Sequence, residues 1–455
     1  MTTDTAELSA AVPKAVIIVC RELRAAGYEA YAVGGAVRDA LLGAEVGDWD
    51  VATSAPPARV QALFRHTIPT GIEHGTVTVV IGKGRARHAI EVTTFRGEGA
   101  YTDARRPDEV VFGVSLEEDL ARRDFVVNAI AYDPLADELR DPFGGRGDLE
   151  RRTIRAVGDP NERFSEDGLR IMRALRFVAQ LDFELEPATE AAMPGALASL
   201  AKVARERVHA ELKKLLVGRA AARALAIEGR HGVLSVAIPE LGRWLATLAP
   251  GARDKALCRA AAAPRDPDLR LAALIAPAPG QGVAEIAPAA GRGGLEALED
   301  RRAAERAEAV MRGLKSSNAE RKRVCQLVSF FGAAQAEALG APLARRIAGA
   351  VGRERAGDLA ALWLADADAD RDANSAAAAR SRDAARELGE VLARGDPVSP
   401  RDLAISGGEV MQALGLSPGP AVGDILAALV EAVCDDPALN TREALLALAR
   451  ERAPA

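Results

Sequence analysis

Cysteine, aromatic residues and long apolar runs are scarce in this chain of 455 residues, and each scarcity excludes a class of protein. The four cysteines, Cys20, Cys258, Cys325 and Cys434, lie far apart without a CxxC spacing, which argues against a zinc knuckle or a disulfide framework. Val16 to Cys20, the longest apolar run near the N-terminus, is far shorter than the roughly 20 residues that cross a bilayer. We therefore expect no signal peptide, no membrane span and a cytoplasmic location.

Positive charge is also in short supply, because the formal net charge is -6. A protein that coats nucleic acid needs clustered Lys and Arg to neutralise phosphates, so this balance argues against that class. Aromatic residues make up only 4% of the chain, which argues against a single-strand binder that stacks many bases on rings. A local basic groove remains compatible with both figures.

The sequence pattern changes near residue 155. Short β-like runs alternate with glycine turns before it, and Ala, Leu, Arg and Glu with helical spacing dominate after it. We predict an α+β fold, in which a head with a mixed sheet and helices precedes an all-α remainder. In the head we predict a helix over Lys14 to Ala26 and strands over Tyr28 to Val33, Trp49 to Ala52, Thr76 to Ile81 and His88 to Phe95.

The strongest cluster of chemistry-bearing residues combines a glycine turn, an arginine and two aspartates. Asp48 and Asp50 stand at positions i and i+2 of a predicted strand, so both project from the same face and can share a metal site. Carboxylate oxygens suit Mg²⁺, which adds substrate phosphates to one or two protein carboxylates. Upstream, Gly34 and Gly35 let backbone amides approach an anion, and Arg38 can reach a phosphate.

This arrangement closely resembles the nucleotidyltransferase signature of the DNA polymerase beta superfamily. More narrowly, the chain resembles the class II tRNA nucleotidyltransferases (CCA-adding enzymes) and their relatives, the bacterial poly(A) polymerases. Further segments match that family in order: 121–129 resembles its RRDxTxNA motif, with Val126 in place of the usual Thr, 141–149 resembles its hinge, and 165–177 resembles its EDxLRxxRxxRF helix.

The resemblance implies nucleotide-binding roles for particular residues of these motifs. In the family the first motif is associated with recognition of the ribose, and the helix carries the base-reading residues. The matching nucleotide-binding positions are Arg122, Arg123, Asp124, Asn128, Asp167, Arg170, Arg173 and Arg176.

Base selection by Asp167 and Arg170 can be argued from their chemistry. Residues three apart on a helix are neighbours, so a carboxylate acceptor stands beside a fork of guanidinium donors. Cytosine and adenine both present an exocyclic amino donor next to a ring-nitrogen acceptor, whereas uracil and guanine present the opposite order. The pair would therefore accept C and A without a nucleic-acid template.

Two further features leave more than one reading open. Glu91 lies on a strand expected to neighbour the two aspartates, where it could be a third metal ligand or could orient Arg38 or Arg96. From Lys202 to Arg223 there are seven Lys or Arg and two Asp or Glu, which suits either a solvated helix face or a phosphate-tracking role; with RNA as the expected substrate we favour the second.

The family resemblance also implies a domain order. A nucleotidyltransferase head is expected over 1–155, a helical neck with the base-reading helix over 156–225, a degenerate helical body over 226–340 and a tRNA-binding helical tail over 341–455. The Pro/Gly-rich segment 277–294 is expected to be a loop or an insertion.

The implied activity is addition of CCA to the 3′ end of tRNA from CTP and ATP, with two Mg²⁺ ions held by Asp48 and Asp50. The alternatives within the family are poly(A) synthesis and partial, CC-only or A-only, addition. An intact loop over 97–112 favours full CCA addition, since CC-only enzymes tend to lack it.

A metal-dependent phosphohydrolase is the alternative from a different class. Leu269 to Leu274 looks like the lead-in to an HD hydrolase motif, but Ile275-Ala-Pro follows where the His-Asp pair would stand. No histidine occurs after His231, so we expect this region to be a helical scaffold without metal ligands.

Overall fold

The computed structural model describes residues 5–84, 87–97, 111–277, 295, 298–336 and 339–452. It divides into two compact units, Met1–Arg207 and Val208–Ala455. The first unit contains a mixed sheet with helices and the second is helical, so the predicted α+β class is confirmed. In the part of the chain that the structure describes, no helix is both long and apolar enough to span a lipid bilayer.

A seven-stranded mixed sheet organises the first unit. The strands are β1 (Ala30–Val33), β2 (Asp50–Thr53), β3 (Thr67–Gly71), β4 (Thr76–Ile81), β5 (His88–Thr94), β6 (Arg96–Gly97), β7 (Val111–Phe112), β8 (Ala131–Asp133), β9 (Glu138–Arg140), β10 (Thr153–Ile154) and β11 (Glu184–Leu185). The order in the large sheet is β3-β4-β5-β2-β1-β8-β9, and β6-β7 and β10-β11 form separate pairs. The β2 and β5 strands run parallel with Asp50 opposite Glu91, which fixes these carboxylates as neighbours.

The first unit also contains α-helices. They are α1 (Thr5–Ala11), α2 (Lys14–Ala25), α3 (Gly35–Leu41), α4 (Pro57–Leu63), α5 (Leu116–Ala121), α6 (Gly145–Arg151), α7 (Pro160–Glu166), α8 (Leu169–Leu181), α9 (Pro187–Ala191) and α10 (Leu197–Leu200). Of these, α2, α3 and α4 contact the large sheet. On α2 the buried residues Val16, Val19, Cys20 and Leu23 recur with helical spacing and pack on the sheet. Gly27 follows at a φ of +87°, which suits glycine and ends the helix as predicted.

The predicted helix through Asp167 and Arg170 is interrupted between them. The α7 helix ends at Glu166, Asp167 has an extended backbone (φ -142°, ψ 102°), and α8 begins at Leu169. A Cβ on Gly168 would lie 2.2 Å from the backbone nitrogen of Leu200, so close backbone packing passes through this point. The prediction that Asp167 and Arg170 share one face of a continuous helix is therefore wrong.

Helices make up the regular structure described in the second unit. The α11 helix (Arg205–Leu216) begins at the boundary, and the helices after it are Ala221–His231, Val233–Ala237, Pro239–Thr247, Pro250–Ala262, Pro267–Ile275, Arg301–Gly313, Asn318–Phe330, Ala341–Val351, Arg353–Asp368, Ala376–Arg394, Gly407–Leu414, Pro420–Asp435 and Arg442–Glu451. The buried Arg259 donates hydrogen bonds to the carbonyl oxygens of Ala273 and Ala276, at 2.7 Å each, and pairs with Asp366 at 2.9 Å. A buried arginine thus closes the end of helix Pro267–Ile275, where a hydrolase would carry its metal-binding pair.

Some sequence predictions fall outside the described residues. The loop over 97–112 is described only at 97 and 111–112, and the segment 277–294 only at Pro277. The division into head, neck, body and tail at 155, 225 and 340 stays a prediction.

Candidate active site

Carboxylates cluster where β2 begins. Asp48 is exposed and lies just before the strand, not on it as predicted, Trp49 is buried, and Asp50 starts the strand half-buried. Burial raises the pKa of Asp50 to about 6, the negative charges of Glu91 and Asp48 act in the same direction, and Arg123 opposes them. Burial and the two neighbouring carboxylates therefore disfavour ionisation of Asp50.

The carboxylate set fits a divalent cation. Among the described residues no three His, Cys, Asp or Glu side chains are grouped so that they could hold a metal ion by themselves. Mg²⁺ needs only one or two protein carboxylates when water and substrate phosphates complete its shell. A cation beside Asp50 would offset both the burial and the repulsion from Glu91 that raise its pKa.

The glycine turn leads from β1 into α3 and lies against these carboxylates. Gly34 has a φ of +78°, and a Cβ there would lie 3.1 Å from Nη1 of Arg123 and 3.9 Å from Oδ2 of Asp50. Position 34 therefore needs glycine both for its backbone conformation and for the approach of the Arg123 side chain.

Arg38 is held rigidly on α3. Its Nε and Nη2 donate to the two carboxylate oxygens of Asp39, at 2.8 and 2.9 Å, and its Nη1 donates to Oδ1 of Asn128 at 2.6 Å. The side chain is 8% exposed. Two of the predicted nucleotide-binding residues, Arg38 and Asn128, are thus in direct contact.

Asp119 organises the arginine pair that follows α5. Its carboxylate accepts hydrogen bonds from Arg122 at 2.7 Å, from Arg123 at 3.4 Å and from the backbone N–H of Arg96 at 3.2 Å. Burial alone would raise the pKa of Asp119, yet the guanidiniums of Arg122 and Arg123 hold it below its ordinary value. Sequence reasoning missed this residue, although an acid three and four positions before two arginines is the signal that would have found it.

Asp124 joins this segment to α8. Its Oδ1 accepts from the backbone N–H of Phe125 at 2.9 Å and from Nδ2 of Asn128 at 3.1 Å, and its Oδ2 accepts from Nε of Arg173 at 2.6 Å. Burial would raise the pKa of Asp124, but Arg173 and Asn128 keep it below its ordinary value. Asp124 is therefore ionised and links two predicted site residues, Asn128 and Arg173.

Asp167 and Arg170 are each fixed by a different partner. Asp167 accepts the backbone N–H of Leu169 at 3.0 Å through Oδ1 and an N–H of Arg207 at 2.7 Å through Oδ2. Arg170 is ion-paired with Glu166, four positions earlier at the end of α7. Contacts outside the pair thus hold each of the two side chains in place.

A cavity of about 620 Å³ in the first unit collects these side chains. Eight arginines and four carboxylates line it, which leaves a surplus of four positive charges for an anionic ligand. Asp48 is absent from the lining. The other predicted residues in the lining are Gly34, Gly35, Arg38, Asp50, Glu91, Arg122, Arg123, Asp124, Asn128, Asp167, Arg170, Arg173 and Arg176.

Several lining residues were not predicted to be part of the site. Arg207 belongs to the basic run that we interpreted as a phosphate-tracking segment, and Phe177 closes the EDxLRxxRxxRF motif without an assigned role. Arg96 was considered only as a possible partner of Glu91, and nothing in the sequence pointed to Thr93 or Gln180.

Three family models match this chain. The Poly A polymerase head domain matches residues 30–155, the RNA- and SrmB-binding site of polymerase A matches 182–245, and tRNA nucleotidyltransferase domain 2 matches 301–449. The first of these covers the strands and the glycine turn that form the carboxylate cluster.

Individual relatives are similar to parts or to all of the chain. A CCA-adding enzyme of Geobacillus stearothermophilus is 52% identical over 215 residues, which are 47% of this chain and 52% of that protein, so the chain spans about half the length of the curated relatives it matches. The crystal structure of Bacillus stearothermophilus CCA-adding enzyme in complex with CTP is 33% identical, with a TM-score of 0.68 over 99% of this chain and 98% of the other. Thermotoga maritima CCA-adding enzyme complexed with tRNA, at 18% identity and a TM-score of 0.66 over 99% of each chain, shares the fold.

Proposed function

We propose, because this chain belongs to the CCA-adding enzyme family of tRNA nucleotidyltransferases, that it adds CMP and AMP to the 3′ end of tRNA. The donors are CTP and ATP, and the protein itself replaces a nucleic-acid template. The observation that carries the proposal is that one cavity, of about 620 Å³, is lined by Asp50, by an excess of arginine and by both candidate base readers.

The phosphate-binding part of the cavity is argued from charge. A nucleoside triphosphate carries close to four negative charges, and the lining supplies eight guanidiniums against four carboxylates. Arg38 is held by Asp39 and Asn128, so its position is set before a ligand arrives. We assign the triphosphate to Gly34, Gly35 and Arg38.

Asp48 and Asp50 are the residues that would hold Mg²⁺, with Glu91 as a candidate third ligand. Two bound Mg²⁺ ions would supply Lewis-acid stabilisation of the attacking 3′-hydroxyl and of the departing pyrophosphate. The protein's own contribution is to keep Asp50 half-buried beside Arg123 and to orient the nucleotide, with no protein nucleophile.

Ribose and base recognition follow from the remaining lining residues. We assign the ribose to Arg123 and Asp124, and the base to Asp167 and Arg170. The carboxylate of Asp167 would accept the exocyclic amino group of C or A, while Arg170 would donate to the ring nitrogen. Uracil and guanine would leave buried donors facing donors and acceptors facing acceptors, which is unfavourable.

The experiment is incubation of tRNA lacking its 3′-terminal CCA with each labelled nucleoside triphosphate alone and then with CTP and ATP together. Full CCA addition predicts two nucleotides with CTP alone and three with the mixture. Two nucleotides with the mixture indicate CC-only addition, and a long ladder with ATP indicates poly(A) synthesis. Incorporation of none of the four nucleotides would refute the proposal.

A phosphohydrolase activity in the second unit has no support from its residues. The buried Arg259 donates hydrogen bonds to the carbonyl oxygens of Ala273 and Ala276 at the end of helix Pro267–Ile275. Residues 267–277 contain no histidine. We do not propose it.

A further inference from the structure

Three arginines of the cavity converge on one aromatic ring. The Cζ atoms of Arg176, Arg38 and Arg173 lie 4.1, 5.3 and 5.6 Å from the centroid of Phe177, all within the range in which a guanidinium is attracted to a ring face. Phe177 is 4% exposed and lines the cavity. Phe125 contacts it edge-on, with centroids 5.6 Å apart and planes at 79°, which helps to fix the orientation of the ring.

The ring differs in one respect from the other groups that hold these arginines. Asp39 fixes Arg38 and Asp124 fixes Arg173, but each carboxylate adds a negative charge beside the cavity. A phenyl ring attracts guanidiniums through its quadrupole and carries no net charge. Phe177 therefore holds three like charges together without lowering the positive potential that a triphosphate needs.

The three arginines also come from two different parts of the fold. Arg38 lies on α3 beside the glycine turn, whereas Arg173 and Arg176 lie on α8, which carries Arg170 at its start. The ring is thus a contact shared by the helix that follows the glycine turn and the helix that carries Arg170, beside the hydrogen-bonded link through Asn128 and Asp124.

We propose that Phe177 is a positioning residue for the triphosphate site, acting by setting the guanidiniums of Arg38, Arg173 and Arg176 around its ring. This inference deepens the proposed function and rests on it for the identity of the ligand. It assigns no direct substrate contact to Phe177.

The test compares two variants that remove the ring with one that keeps it. Phe177→Leu and Phe177→Met retain an apolar side chain but lose the quadrupole, and Phe177→Tyr retains the ring. Phe183→Leu is the matched control, since Phe183 is also buried and has Arg152 5.7 Å from its ring, but does not line the cavity. Binding of inorganic triphosphate with Mg²⁺ is measured by calorimetry, and thermal unfolding identifies the folded variants.

We expect Phe177→Leu and Phe177→Met to weaken binding of inorganic triphosphate about 10-fold, because several cation–π contacts are lost together. The KM values for CTP and ATP should rise by the same factor with kcat retained, Phe177→Tyr should restore wild-type binding, and Phe183→Leu should leave it unchanged.

Two results would overturn the proposal. Wild-type triphosphate binding by a folded Leu or Met variant would reduce Phe177 to core packing, as would a Tyr variant that binds as weakly as the Met variant. Because the unbranched Met side chain adapts to irregular gaps in a core, it keeps the test decisive if the Leu variant unfolds. If the wild type binds triphosphate but adds no nucleotide to tRNA, the proposed function fails and the binding comparison still decides the role of Phe177.

Discussion

Asp167 and Arg170 line the same cavity, yet each is oriented by its own partner. Arg207 and the N–H of Leu169 hold Asp167, and Glu166 holds Arg170. Both side chains are therefore positioned before a base enters, which reduces the ordering cost of recognition. Each of the two side chains thus lines the cavity and also has a partner outside the pair.

Base selection is the first prediction at this scale. Asp167→Ala and Arg170→Ala each remove a charged hydrogen bond to the base, worth roughly 1.5 to 3 kcal/mol. We expect both variants to lower use of CTP and ATP together and to lower discrimination against UTP and GTP by about 10- to 150-fold. Single-nucleotide incorporation on tRNA measures this.

The control for base selection is Glu162→Ala, because Glu162 is exposed on α7 and does not line the cavity. It should discriminate like the wild type. If both folded cavity variants kept the wild-type preference for C and A, residues other than Asp167 and Arg170 would have to select the base.

The carboxylates at the start of β2 give the second prediction. Asp50→Ala and Asp48→Ala should reduce incorporation by several orders of magnitude while tRNA binding is largely kept, because the metal ions act on the reacting groups more than on RNA docking. Incorporation assays in Mg²⁺ and filter binding of labelled tRNA measure the two quantities separately. Near-normal turnover of either variant would refute the metal assignment.

At the scale of elements, the break between α7 and α8 decides how the base readers are presented. Asp167 sits in extended backbone, where its Oδ1 accepts the N–H of Leu169 at the start of α8. Gly168 lets the segment at Ser199 and Leu200 pass directly against the break, with no space for a side chain. The position of Asp167 therefore depends on packing between elements.

Gly168→Ala tests this dependence. The added Cβ would meet the backbone of Leu200 at 2.2 Å, so we expect a loss of about 2 kcal/mol or more in the free energy of unfolding, together with weaker CTP and ATP binding. Chemical denaturation and calorimetry measure the two effects. Gly195→Ala is the control, since a Cβ there would meet nothing within 4 Å. Equal stability of the two variants would contradict the packing argument.

The strands and the helix whose positions were predicted correctly are those that depend on local sequence patterns. The strands predicted over Thr76 to Ile81 and His88 to Phe95 differ by at most one residue from β4 and β5, and the helix from Lys14 ends before Gly27 as expected. Alternation and glycine stops depend only on near neighbours, which is why they can be read from the chain.

The contacts that orient the side chains of the site could not be predicted from local sequence patterns. Arg207 reaches Asp167 from 40 positions away, and Arg173 reaches Asp124 from 49 positions away. Such pairs depend on tertiary packing, and the break at Gly168 depends on a backbone segment some 30 residues later. Many residues of the cavity were thus predictable from their motifs, whereas Thr93, Gln180 and the tertiary partners were not.

At the scale of the whole molecule, one buried acid should make stability depend on pH. Glu228 is fully buried, and burial raises its pKa from 4.5 to about 7, although the N–H of Leu234 and the charge of Arg253 oppose this. The folded protein therefore holds a proton that the unfolded chain releases at lower pH. Its contribution to stability is present below pH 4.5 and is lost as the pH rises through about 7.

Glu228→Gln tests this because the amide keeps an acceptor for Leu234 and cannot ionise. The wild type should lose roughly 3 kcal/mol in free energy of unfolding relative to the variant between pH 4.5 and pH 8. Urea denaturation of both proteins across this range gives the difference, in which other titrating groups cancel. Parallel pH profiles would show that Glu228 ionises at its ordinary pKa.

The most direct measurement is sequencing of the 3′ ends produced when tRNA lacking CCA is incubated with the wild-type protein and all four nucleoside triphosphates at equal concentration. A single protein cavity that accepts only C and A, and stops, predicts that tRNAs ending in CCA dominate. Runs of adenosine, or ends in which U and G appear as often as C and A, would contradict the account.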